Sequence, residues 1–231
     1  MPNWVKNIVR IAGNANELES FKNAVSAAED SFDFNKLVPM PSDLQIESGS
    51  SGENGLKLLW LESKPEERNA IEEAYRSLNP FFRHLSHTDP SAFENVTEDK
   101  KESWRQLAKK YLENFKLYGH CTWYTWAYDN WGTKWPAYAE EPSFVRAGEA
   151  SYLEYIFTTA WSAPLPVFRK AIEQYPDLAF RGAFSDEDTG SGNCGIWYKS
   201  NDRMKAKERD ETFAKAVWSY PEEGQDEDRF P

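Results

Sequence analysis

The chain has 231 residues, is 40% hydrophobic and 15% aromatic, and carries 27 Lys and Arg against 38 Asp and Glu, a net charge of −11. That length suits one elaborated domain, or a small domain with a large insertion, and the ring-rich composition is ample for a core. The acidic balance speaks against a bare nucleic-acid binder, which needs a basic face to neutralise phosphates, and fits a basic protein partner or plain solubility.

Residues 4–12, WVKNIVRIA, place Val5, Val9 and Ile11 on one side and Lys6 and Arg10 on the other, a strand with one buried face that Asn7 interrupts. Gly13 ends it. Asn16 with Glu19 reads as an N-cap and capping box for a helix carrying Leu18, Phe21, Val25 and Ala28. Residues 32–38 read as a second strand, closed by Pro39 and Pro41. The Ser/Gly-rich stretch 42–55 reads as a mobile loop. Helical patterns follow: one from Leu56, one after Ser63-Lys64-Pro65 that Asn79-Pro80 stops, and one capped by Thr97 and ended by Gly119. A short helix over 120–128 leads into a tryptophan-rich segment.

Alternation over 151–159 predicts a strand, and the prolines at 164 and 166 set up a helix through Tyr175. Strands over 178–184 and 195–199 flank a polar loop, and 203–217 reads as a terminal helix. The last thirteen residues hold five acids and one arginine, −4 of the −11, and are expected to be disordered.

The segment WYTWAYDNWGTKW at 123–135 holds four of the ten tryptophans. As core, Trp123, Trp126, Trp131 and Trp135 join Trp161 in fastening the helical insertion to the sheet. As surface, Trp131, Lys134 and Trp135 form a partner-binding hot spot. The core reading is favoured, because a free apolar patch of that size is a liability in a soluble monomer.

NWGTKW at 130–135, TTAWSAP at 158–164, the opening MPNWVKNIVRIAG and FDFNKLVPMP at 32–41 together resemble the YubB-type family, ferredoxin-like domains of phage and conjugative-plasmid proteins. The resemblance implies an α+β fold: a split βαββαβ sheet with helices on one face, an extra strand, and a helical insertion after the second strand. The expected organisation is 1–41 with 149–200 as the ferredoxin-like domain, 42–148 as the insertion, and 201–231 as terminal helix and acidic tail. Trp4, Phe21, Val25, Phe157, Phe168 and Ile172 are expected to be buried together. "Ferredoxin-like" here names a topology, since Cys121 and Cys194 cannot supply the four thiolates of an iron–sulfur cluster.

His84, His87, His120 and the two cysteines lack the spacing of a structural zinc site, so no metal is expected. Asp188-Thr189-Gly190-Ser191 matches the aspartic-protease fingerprint by chance, with polar flanks and no second copy. Asp186, Glu187 and Asp188 with Asn193 lack EF-hand spacing and read as an acidic turn. No phosphate loop, dinucleotide motif or nucleophile elbow is present, so no cofactor and no catalytic residue is expected. Tyr152 and Tyr155 lie on a strand suited to stacking RNA bases, without the usual basic motif.

With no apolar run long enough to span a bilayer and no signal-peptide core, a cytoplasmic protein without a membrane partner is expected. The functional expectation is a non-enzymatic accessory protein of a mobile genetic element. It would bind a host protein or nucleoprotein complex through Trp131, Lys134, Trp135, Asp186, Glu187 and Asp188, and so counter a nucleic-acid-handling defence. The alternatives are a single-stranded nucleic-acid-binding module and an enzyme with a cleft between sheet and insertion.

Overall fold

The computed structural model describes residues 3–27, 32–78, 84–139, 143–147, 150–201 and 203–220. The chain divides into two compact units, Met1–Pro39 with Ala127–Pro231, and Met40–Trp126.

The first unit is built on an antiparallel sheet. Strand β1 (Trp4–Gly13) lies at its centre, between β4 (Ala150–Ala160) and β5 (Ala179–Asp186), antiparallel to both. Two short strands, β2 (Tyr138–Ala139) and β3 (Ser143–Ala147), pair with the outer side of β4. Beyond β5 the chain meanders through β6 (Cys194–Ser200) to the edge strand β7 (Arg203–Glu208). Helix α1 (Ala15–Val25) follows β1 and α6 (Leu165–Gln174) follows β4, which completes a ferredoxin-like βαββαβ order with β6 and β7 added.

Side-chain alternation assigns the two faces. Val5, Val9 and Ile11 bury against Leu18, Phe21 and Val25 of α1 and Val167, Phe168 and Ile172 of α6. Phe32, 1% exposed, stacks on Phe168 with centroids 5.6 Å apart, and Phe168 stacks on Trp197 at 4.5 Å. Asn7 shares this face, where its amide donates to Thr159 Oγ1 at 2.9 Å and to the Val5 carbonyl at 3.0 Å. Those bonds satisfy the amide nitrogen, while Asn7 Oδ1 is buried with no hydrogen-bond partner among the described residues.

The opposite face is covered in part. Helix α7 (Glu211–Ser219), capped by Asp210, lays Ala214 and Val217 over the sheet; Ile8 and Ala183 cluster there with Val217 and Tyr220. A sheet with helices on one face only is therefore corrected. Trp4 also belongs to this parity. It is half-buried and packs on Trp135 and Tyr138, apart from the core of Phe21, Val25, Phe157, Phe168 and Ile172.

The second strand of the ferredoxin-like unit is not residues 32–38. Asp33 accepts from Asn35 N at 2.9 Å, and that turn opens a 3-10 helix over Phe34–Lys36. The strand role falls to β2 and β3, so the helical insertion precedes the second strand. The terminal helix expected over 203–217 is likewise split into β7 and α7. The true cap of α1 is Asn14, accepting from Glu17 N at 2.9 Å, and not Asn16.

The second unit holds helices α2 (Ser50–Glu62), α3 (Arg68–Leu78) and α4 (Glu98–Tyr118). Of the stretch 42–55 read as a mobile loop, Ser42–Leu44 form a 3-10 turn and residues 50–55 are the first turns of α2. There Gly52 abuts the Tyr111 ring and Gly55 abuts the Trp104 carbonyl, so α2 and α4 approach closely. Leu56, Ile71, Ala74, Tyr75, Ala108, Tyr111 and Cys121 form the core of this unit. Helix α5 (Trp123–Trp131) follows, and the division between units falls inside it. Of the last thirteen residues expected to be disordered, Ser219 ends α7 and Tyr220 is buried at 8% exposure, while residues 221–231 and the Asn79-Pro80 stop lie outside the described residues. Among the described residues no helix is long and apolar enough to cross a membrane.

Candidate functional site

The residues singled out in the sequence meet at one end of the sheet, where β1 begins and β4 and β5 finish. Trp131 is 3% exposed, and its indole N–H donates to the Val38 carbonyl at 2.9 Å. Asp186 is 5% exposed, and its carboxylate accepts from Asn3 Nδ2, Asn193 Nδ2 and the Asp188 N–H at 2.9–3.1 Å. Both are withdrawn from a partner-facing surface: burial and satisfied hydrogen bonds make them structural. Glu187 is exposed and accepts from Trp4 N at 3.0 Å; Asp188, also exposed, accepts from Gly190 N at 3.2 Å.

Lys134 and Trp135 do lie near the surface. The Lys134 ammonium sits 4.4 Å from the Trp135 ring centroid and 4.7 Å from that of Trp161, a cation between two indoles. Trp161 has φ +74°, an unusual conformation for a bulky residue. Its N–H donates to Asn3 O and its carbonyl accepts from Asn193 Nδ2, each at 2.9 Å, and its ring packs on Tyr128. Asn193 thus links the tryptophan group to the acidic loop. Tyr138, 61% exposed, stands beside Trp4 at the rim.

A second constellation, absent from the sequence expectations, lies on the half of the sheet face that, among the described residues, α7 leaves uncovered. Cross-strand register sets Glu154 opposite Arg10, Arg10 opposite Arg181, Arg181 opposite Tyr198 and Tyr198 opposite Lys205. Directly opposed residues share a face, so one row crosses five strands. The neighbouring row on the same face holds Tyr152, Ala12, Ala179, Ser200 and Arg203. These two rows carry four cations (Arg10, Arg181, Lys205, Arg203) against one carboxylate (Glu154), a local excess of three in a chain of net charge −11.

Arg10 is 3% exposed and ion-paired with Glu154. It donates to the Tyr220 hydroxyl at 2.7 Å, and that hydroxyl donates in turn to Glu154 at 2.9 Å. The guanidinium also lies 4.8 Å from the Tyr152 ring centroid. Burial, then the Glu154 bond, pushes the Tyr220 phenol up to about 12, so it remains a donor at neutral pH. Partial desolvation at the sheet face, and then the Arg10 charge, pull Arg181 below the usual arginine range although the residue as a whole is exposed. Arg181, Lys205 and Arg203 are exposed, and Tyr198 is 41% exposed. A cavity of about 310 Å³ opens between Arg10, Tyr152, Arg181 and Tyr198. Tyr155, by contrast, faces the core at 0% exposure and cannot stack a base. Alternation on β5 to β7 carries the signal, but RMKAKE reads as helix by propensity, which hides its register against β6.

Residues 132–229 match a family model. It is described as a ferredoxin-like domain in Api92-like protein. The match covers the sheet from the start of β2 onward. A crystal structure of protein api92 from Yersinia pseudotuberculosis aligns over 90% of this chain and 98% of its own, at 11% identity and TM-score 0.41. No curated protein matches the chain.

In the second unit a cavity of about 520 Å³ is lined by His84, His87, Glu53, Asp89, Tyr75 and Trp104. His84 Nδ1 lies 2.6 Å from Glu72, but Arg76 Nη2 contacts the same ring, so the imidazole is already engaged. Among the described residues no group of three or more His, Cys, Asp or Glu is placed to hold a metal ion. Cys121 and Cys194 are free and buried.

Proposed function

We propose that the protein is a non-enzymatic binding module whose open half-sheet takes single-stranded nucleic acid. The carrying observation is the row Arg10, Arg181, Tyr198 and Lys205, a buried and an exposed guanidinium, an exposed ring and an ammonium in one cross-strand line. Cations spaced along the row suit a sugar–phosphate backbone, and Tyr198 offers a face for one base, worth about 1–3 kcal/mol. The acidic remainder of the chain would repel nucleic acid elsewhere and leave this face as the docking surface. The sequence resemblance to phage and plasmid proteins supports a setting on a mobile element, where strands are exposed during transfer and replication.

Fluorescence anisotropy with a labelled single-stranded oligonucleotide tests this. Neutralising about three phosphates predicts a salt slope near −2, a loss of about 20-fold between 50 and 200 mM salt. Tyr198→Ala should weaken binding at least about fivefold, and Lys205→Ala should reduce the salt slope. Affinity unchanged in both variants, or no binding at low salt, would sink the proposal.

The half-buried Trp4 and Trp135 beside exposed Tyr138 support a second reading, a docking patch for a host protein. A host complex that forms with the wild type and is lost in Tyr138→Ser, while Tyr198→Ala leaves it intact, would favour that reading.

A further inference from the structure

We infer that the cavity beside Arg10 and Arg181 is a phosphate-monoester subsite, so that the sheet face holds a strand by its phosphorylated end. The inference rests on the nucleic-acid reading above and narrows its ligand.

The cavity, about 310 Å³, has two guanidinium residues and, among the described residues, no carboxylate in its lining. Glu154, the acid nearest in register, is engaged by Arg10 and by the Tyr220 hydroxyl. Those partners and the Tyr152 ring hold the Arg10 fork in one orientation, so no side-chain ordering is left to be done when an anion arrives. A planar fork beside a second, exposed guanidinium suits the paired oxygens of a phosphate.

Exposure decides between a chain end and a chain interior. Arg10 is 3% exposed and is met only by a group that enters the cavity. A phosphodiester within a strand has chain leaving on both sides and is better served by the exposed Arg181, Arg203 and Lys205. A terminal monoester has chain on one side only, and it brings a charge of about −1.5 to −2 at pH 7. Ala12 and Ala179, whose side chains end at Cβ, leave the depth for it. Tyr198, 41% exposed, then lies where the ring of the last nucleotide can rest.

The test is competition anisotropy with oligonucleotides of one sequence ending in 5′-phosphate, 3′-phosphate or hydroxyls only, and with a free nucleoside monophosphate. One phosphorylated end should bind about tenfold more tightly than the hydroxyl form. Ala179→Leu, on an exposed position, fills the cavity without changing charge and should bring that ratio to about one while the hydroxyl form still binds. Arg181→Gln should lower the ratio and weaken all forms. Equal affinity for phosphorylated and hydroxyl ends, or a preference that survives Ala179→Leu, would overturn the inference and leave the nucleic-acid reading standing. Failure of every oligonucleotide to bind would overturn both. A monophosphate that binds in an Ala179-dependent way while strand ends are ignored would keep the monoester subsite and overturn the strand end.

Discussion

Gly182 lies directly opposite Trp197, and the indole occupies the space that a β-carbon on Gly182 would need, with ring atoms 2.2–2.5 Å from it. The glycine is what lets the largest side chain of β6 lie flat and stack on Phe168. Gly182→Ala should therefore lower stability by about 1–3 kcal/mol through overpacking. Urea unfolding followed by tryptophan fluorescence measures it, and an unchanged midpoint would refute this role.

The glycines of α2 and α4 make a contrast within the helical unit. A β-carbon at Gly55 would stand 2.0 Å from the Trp104 carbonyl oxygen, a backbone atom that cannot swing aside. Gly119 ends α4 at φ +73° with nothing within 4 Å. Gly55→Ala should cost about 3 kcal/mol, and Gly119→Ala only about 1, the latter from backbone strain alone. Comparing the two variants by thermal melting checks the order.

The Arg10, Glu154 and Tyr220 network should behave as a unit. Arg10→Met strands a nearly buried carboxylate and should cost about 3–5 kcal/mol. The double change with Glu154→Met should recover most of that loss. A double-mutant cycle showing simple additivity would contradict the coupling.

Alkaline pH should weaken the fold in a defined window. Burial pushes the Tyr111 phenol up to about 12 and the Cys121 thiol up to about 11. Both acids are thus weaker folded than unfolded, so their contribution is complete below pH about 9 and is lost as pH rises toward 12. Loss of the Tyr111 proton also removes its donor to the Glu47 carbonyl, a bond of 2.6 Å. Urea midpoints at pH 8, 10 and 11 should fall in step. Tyr111→Phe should be less stable at pH 8 and show a shallower decline.

The sequence was legible where hydrophobic period and tertiary demand agreed. The strands around Val9, Tyr155 and Phe184, and the helices around Phe21 and Phe168, fall where alternation or the helical stripe puts them. It misled where a local hydrogen bond or a sheet partner outweighed the pattern. Asp33 turned a strand-like FDFNKLV into a 3-10 turn. RMKAKE, a good helix by propensity, was drawn into an edge strand by pairing with β6, and Asp210 rather than Arg203 starts the helix. The site fared worse than the fold. Trp131 is buried, as the favoured core reading of the tryptophan segment has it, and it is the hot-spot alternative that fails there; Asp186 is drawn inward by hydrogen bonds from Asn3, Asn193 and Asp188 that its sequence neighbours do not reveal. The Arg10 row depends on register across five strands, which no single stretch of sequence contains.

Among the described residues strand β7 is the last of the sheet, and an unpaired edge is a standing invitation to pair with another chain. Its alternate positions on the open face are Arg203, Lys205 and Lys207. Two molecules meeting edge to edge would set these cations against one another, so the strand carries its own deterrent to fibril-like growth. Salt or a polyanion lying across the strand would relieve that repulsion, so the charges that would recruit a ligand are also ones that keep the sheet from extending itself.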